Sequence, residues 1–85
     1  MIVLLFYKSL FVDDQRLKQF GKRIKTLRKE RGLSQEAFAA LANIDRSYMG
    51  HIERGSKNLT LTKIYQIADS LNIKPSDLFV QDEPL

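Results

Sequence analysis

Apolar positions recur with a helical period through most of this chain. Leu17, Phe20, Ile24 and Leu27 make one stripe, predicting a first helix that Asp13 and Asp14 cap and charge at its start. Gly32 follows its last turn, where Arg28, Lys29 and Arg31 suit the negative end of the helix dipole. Ser34 then caps a second helix that opens with Gln35 and Glu36; Ala37 stands where a full capping box needs Glu or Gln. Phe38, Ala42, Ile44, Met49 and Ile52 are the inward positions of residues 35–54. That spacing predicts two short helices crossing at roughly 90–120° through a tight turn. Ala39 is small enough to let them approach. Asn43 sits at the turn, where the backbone needs φ > 0, a region Asn tolerates better than any residue but Gly. Asp45 supplies the N-cap of the third helix.

Gly55 reads as the end of that helix and residues 55–58 as a loop. Thr60 caps a fourth helix with Leu61, Ile64, Tyr65, Ala68 and Leu71 along one face, and Asn72 ends it. Pro75 fits the first turn of a short fifth helix that includes Leu78 and Phe79. Residues 1–12, MIVLLFYKSLFV, stand apart. They are too short to span a bilayer, which takes about 20 apolar residues, and lack the basic start and cleavage site of a signal peptide. Ile2, Val3, Phe6, Tyr7, Phe11 and Val12 favour an extended conformation. The reading is an apolar arm or short strand that covers the core or bridges two protomers, since an exposed one would aggregate. The chain thus divides into the arm (1–12), a compact all-α five-helix domain (13–80) and a polar tail (81–85).

Composition narrows the chemistry. Eighty-five residues make one domain, near the lower limit at which a core holds a fold alone, and dimerisation is a common remedy. There is no cysteine, so no disulfide framework or thiolate metal site, which fits a cytoplasmic location. One histidine without clustered carboxylates offers neither a metal-ligand set nor a catalytic triad. No Gly-rich phosphate loop is present. Neither enzyme activity nor a cofactor is expected. The net charge of +4 is uneven: residues 16–31 hold eight basic side chains against Glu30, a local +7, whereas residues 72–85 hold Lys74 against Asp77, Asp82 and Glu83, a local −2. A basic first helix suits a phosphate-facing surface, the alternative being a solvated face.

Two crossing helices with this turn make a helix-turn-helix, whose second helix enters the major groove of double-stranded DNA with its N-terminal residues toward the base edges. Arg46 follows the cap and can bond guanine O6 and N7 together, or hold a phosphate instead. Ser47 can bond a base edge or phosphate. Tyr48 can pack on a thymine methyl or bond a phosphate, with partial core packing as the alternative. His51 is near enough on the helix face to reach the groove, or is a plain surface histidine. Gly50 costs up to about 1 kcal/mol of helix stability relative to Ala. Close backbone approach to DNA, or room for His51 or Tyr48, would compensate.

With these residues in place, GLSQEAFAALANIDRSYMGHIERGSKNLTLTKIYQIADSLNI resembles the phage-repressor-like (Cro/repressor, xenobiotic-response-element type) helix-turn-helix family, over residues 17–79. LSQEAFA, IERG and IADSLNI carry the resemblance, and DRSYMGHIERGSKN is similar in particular to restriction–modification controller proteins. The resemblance implies a homodimeric regulator that binds palindromic operators and times expression of a restriction endonuclease. It implies that Gln35 bonds a phosphate and braces the recognition helix. Lys57 and Asn58 would contact phosphate, Lys57 without the fork of the family's Arg. Arg28 and Glu53 would form a structural ion pair between the first and third helices. Ser47 and Gly50-His51 depart from the family's Thr and Ser-Gly, so the bases read should differ. No membrane and no small-molecule ligand is expected.

A ridge of Ile73, Leu78, Phe79 and Val80, assisted by the arm, is the candidate dimer seam; the alternative is that Leu78 and Phe79 complete the monomer core. A twofold dimer would set its recognition helices about 34 Å apart, one turn of DNA. Competing functions are a phage-type repressor and an antitoxin-like module whose main partner is a protein toxin.

Overall fold

Helix boundaries in this chain follow local chemistry closely. The computed structural model describes residues 2–80, with side chains from residue 15 onward. It contains α1 (Ile2–Glu30), α2 (Gln35–Ala42), α3 (Arg46–Arg54), α4 (Leu61–Leu71) and a closing 3-10 helix (Pro75–Phe79). Ser34, Asp45 and Thr60 cap α2, α3 and α4, each accepting from a backbone N–H three residues on. The other ends share a second device. Gly32, Asn43, Gly55 and Asn72 all have positive φ, between 55° and 75°. In each case the next residue's N–H reaches back five positions, as Ile44 does to Ala39 at 2.9 Å and Ser56 to His51 at 3.0 Å. This double closure satisfies the last carbonyls of the helix.

Three sequence expectations are corrected. α1 is helical from Ile2, so its N-terminal part is not the extended arm expected, and Asp13 and Asp14 lie inside the helix rather than at its start. Propagating a helix is cheap once nucleated, and Leu4, Leu5, Lys8 and Leu10 are good helix formers. The covering and bridging roles expected of residues 1–12 fall on side chains outside the described residues, as does the polar tail 81–85. Second, the short fifth helix is a 3-10 turn, opened by Pro75 and closed through Asp77 Oδ2, which accepts from the Lys74 N–H at 3.2 Å. Third, on the predicted α4 face Ala68 and Leu71 are buried and Ile64 packs on the core, but Leu61 and Tyr65 point outward and Ile67, off that face, is buried instead. Both stripes have a helical period; contact of α4 with α2 and the closing turn selects the one centred on Ile67.

The core forms where α1, α2, α3 and α4 converge, and its largest fully buried side chains are Ile24, Phe38, Met49, Ile52, Ile67 and Leu78. Every inward position read from residues 35–54 is buried: Phe38, Ala39, Ala42, Ile44, Met49 and Ile52. Two glycines let α1 lie directly against the end of α3. A Cβ on Gly21 would collide with the Ile52 and Glu53 carbonyls, the latter at 2.6 Å. A Cβ on Gly55 would stand 2.6 Å from the Lys18 Cα. Backbone meets backbone at this crossing, which fixes the height and tilt of α3. No helix among the described residues is long and apolar enough to cross a membrane.

Candidate nucleic-acid interface

The base of α3 is held by one buried network. Arg28 on α1 meets Glu53 on α3 through two parallel bonds, Nε to Oε2 at 2.7 Å and Nη2 to Oε1 at 3.0 Å. Both residues are more than nine-tenths buried. Arg28 Nη1 also donates to the Leu33 carbonyl at 2.8 Å, and Gln35 Nε2 to Glu53 Oε1 at 3.1 Å. The guanidinium fork matches a carboxylate, so both charges enter the interior with their bonding satisfied. Among the described residues no buried side-chain polar atom lacks a partner. The network joins α1, the α1–α2 loop, α2 and α3. It makes the recognition helix part of the core rather than an appendage.

At the other end of α3 the chain turns outward. Arg46 and Ser47 are exposed on its first turn, with Asp45 capping at Tyr48 N, 3.2 Å. Tyr48 is half-buried: it packs on the core, and Lys63 Nζ lies 5.9 Å from its ring centroid. The core packing expected as the alternative for Tyr48 is thus present, with part of the side chain left exposed. His51 is half-buried one turn beyond Ser47 on the same face, its Nδ1 in contact with Arg54 and Ser56. Lys57 and Asn58 are exposed in the loop after α3. Gln35 is half-buried at the start of α2, and its bond to Glu53 uses one amide N–H, leaving the other. The first-turn residues Arg46 and Ser47 and the loop residues Lys57 and Asn58 are thus all exposed.

The seam residues do not stay together. Leu78 is fully buried and belongs to the monomer core, so it offers no surface. Ile73 is half-buried against that core. Phe79 and Val80 are 61% and 51% exposed, Phe79 also meeting Phe20 at a 5.2 Å ring separation. With Leu17, Leu59 and Ile64 they line a groove of about 320 Å³. Part of the basic charge of residues 16–31 is engaged within the protein: Arg23 donates to the Asp77 carbonyl, Arg31 to the Leu27 and Leu71 carbonyls, and Arg28 is buried.

Sequence reading missed four participants. Gln66 donates to the Ala42 and Asn43 carbonyls at 2.8 and 3.0 Å and so pins the turn between α2 and α3. Nothing in the sequence signals that contact. Gly21 stood in a helix interior, which was itself a signal for close packing. Arg54 and Ser56 carry no signal of their own, because nothing in the sequence directs both of them to the His51 ring.

Comparison with known proteins agrees with this geometry. A helix-turn-helix family model (HTH_3) matches residues 24–78. Control protein C.MunI of Mycoplasma sp is 45% identical over 62 residues, 72% of this chain and 84% of that protein. The crystal structure of the restriction–modification controller protein C.AhdI from Aeromonas hydrophila aligns with a TM-score of 0.72 at 48% identity, covering 74% of this chain and 96% of that one. The C.Esp1396I controller tetramer, solved in complex with its natural 35 base-pair operator, aligns at 0.68 with 36% identity over 74% of this chain and 83% of its own.

Proposed function

Since the chain belongs to the helix-turn-helix family of DNA-binding regulators and resembles restriction–modification controller proteins, we propose that it is a dimeric, sequence-specific controller. It binds a palindromic operator and regulates transcription of a restriction–modification system. The observation that carries this reading is the exposed first turn of α3, Arg46 and Ser47, on a helix whose other end is locked by the Arg28–Glu53–Gln35 network. Rigid presentation of a guanidinium is what bidentate base reading requires. Arg46 reads guanine and Ser47 and Tyr48 flank it, while Lys57, Asn58 and the free N–H of Gln35 hold phosphates that set the register. His51 reaches the groove one turn further on.

Two copies meet through Phe79 and Val80 at the rim of the apolar groove. An apolar rim of this kind on a small domain favours self-association. The C.Esp1396I controller, solved as a tetramer on its operator, supports the DNA reading for this chain.

The test is selection of binding sites from a random DNA pool, followed by salt titrations of wild type and Arg46→Ala. An enriched palindrome whose guanine preference disappears in the mutant supports direct readout. A mutant that selects the same sequence while its salt slope drops by about one makes Arg46 a phosphate contact. A pool with no enrichment removes the operator-binding reading.

A further inference from the structure

Gly50, His51 and Arg54 form a group on α3 that the core does not require. A Cβ placed on Gly50 would stand 3.1 Å from Arg54 Nη1 and 3.4 Å from Gln35 Oε1. The guanidinium therefore folds back across the helix, over the gap left by the missing side chain. There Arg54 Nη2 lies 3.1 Å from His51 Nδ1. Ser56 Oγ approaches the same ring nitrogen at 3.1 Å and the His51 carbonyl oxygen at 3.2 Å.

A guanidinium has five donors and no acceptor. His51 Nδ1 must accept from it, so in the neutral ring the proton resides on Nε2. Ser56 is compatible, because its hydroxyl can donate to either the carbonyl or Nδ1. The opposite tautomer would set two donors against each other at 3.1 Å. Nε2 has no protein partner among the described residues. His51 itself stands one helical turn beyond Ser47, on the same face of α3.

We propose that Arg54, seated over Gly50, is a positioning residue for base recognition: it holds His51 in the Nε2–H tautomer. The ring then offers a hydrogen-bond donor and reads an acceptor-bearing base edge in the major groove. This rests on the DNA-reading assignment above. Guanine, with N7 and O6, is the best match, whereas cytosine presents only its amino donor and is excluded. Gly50 has a role in this arrangement as the floor beneath the guanidinium.

His51 is the single histidine of the chain, so long-range nitrogen–proton NMR of the free protein in mildly alkaline solution reads its tautomer without DNA. Wild type and Arg54→Lys, which keeps donors, should show Nε2–H; Arg54→Ala should show a mixture. In site selection the wild type should reject cytosine at one position per half-site. Arg54→Ala should relax that position alone by about tenfold or more, and Arg54→Lys should retain it. Nδ1–H in the free wild type overturns the proposal. So does an Arg54→Ala protein with unchanged base preference. A wild type that enriches no sequence removes the DNA-reading assignment and this proposal together. The free-protein spectrum separates that failure from loss of the role of Arg54.

Discussion

Arg46 and Ser47 at the start of α3 are exposed, while Met49, Ile52 and Glu53, at most two turns further along, are buried. The nine residues of this helix therefore divide into an exposed end, proposed above as the reading end, and an anchoring end. The anchoring end carries the bidentate pair to Arg28, the amide of Gln35 and the backbone crossing at Gly21 and Gly55. The reading end carries a cap and no ion pair among the described residues. The difference teaches how a small domain obtains both stability and recognition from one element. A side chain that reads DNA must keep its reading edge free of protein partners, so its precision has to come from what holds it behind that edge.

The largest expected effect lies at the anchor. Glu53→Ala leaves the Arg28 charge buried and unpaired and should cost about 3–5 kcal/mol in urea unfolding. Replacing Arg28 with Met and Glu53 with Leu together should recover most of that loss. If the single mutant loses less than about 1 kcal/mol, the anchor is not where the helix is held. Next comes Gly21→Ala, which forces α1 away from the Ile52 and Glu53 carbonyls. A cost of about 1–3 kcal/mol is expected by thermal denaturation. Unchanged melting would mean that the two helices do not meet as closely as described.

At the reading end the signs change. Arg46→Ala should alter stability by no more than about 0.5 kcal/mol, yet lose about 1–3 kcal/mol of base discrimination by competition binding. A mutant that also unfolds easily would erase the division between the two ends. The smallest effect belongs to Gly50→Ala, on the boundary between them. The new methyl should stabilise the free helix by up to about 1 kcal/mol while moving the Arg54 guanidinium, which lies in its path. Stability should rise and operator affinity fall; a rise in both would show that the glycine serves no recognition purpose.

Much of the fold was legible because its signals are local. Ser34, Asp45 and Thr60 announce helix starts, and Gly32, Asn43, Gly55 and Asn72 announce ends, since capping and positive φ depend on one or two neighbouring residues. The buried apolar side chains from Phe38 to Ile52 followed from spacing alone. Resemblance to a known family added the pairing of Arg28 with Glu53, residues 25 positions apart that no local rule connects.

What the sequence by itself determined, then, is where helices stop and which motif the two short ones form. The tertiary structure alone decided which α4 stripe is buried, because Leu61-Ile64-Tyr65 and Ile64-Ile67-Ala68 are equally periodic and only the neighbouring elements choose between them. It placed Leu78 in the core and left Phe79 and Val80 outside, since a 3-10 turn separates adjacent residues by about 120°. It also brought Arg54, Gly50, His51 and Gln35 to one place. Side chains from two elements converge only after both helices are packed, and that convergence is invisible to any period along the chain.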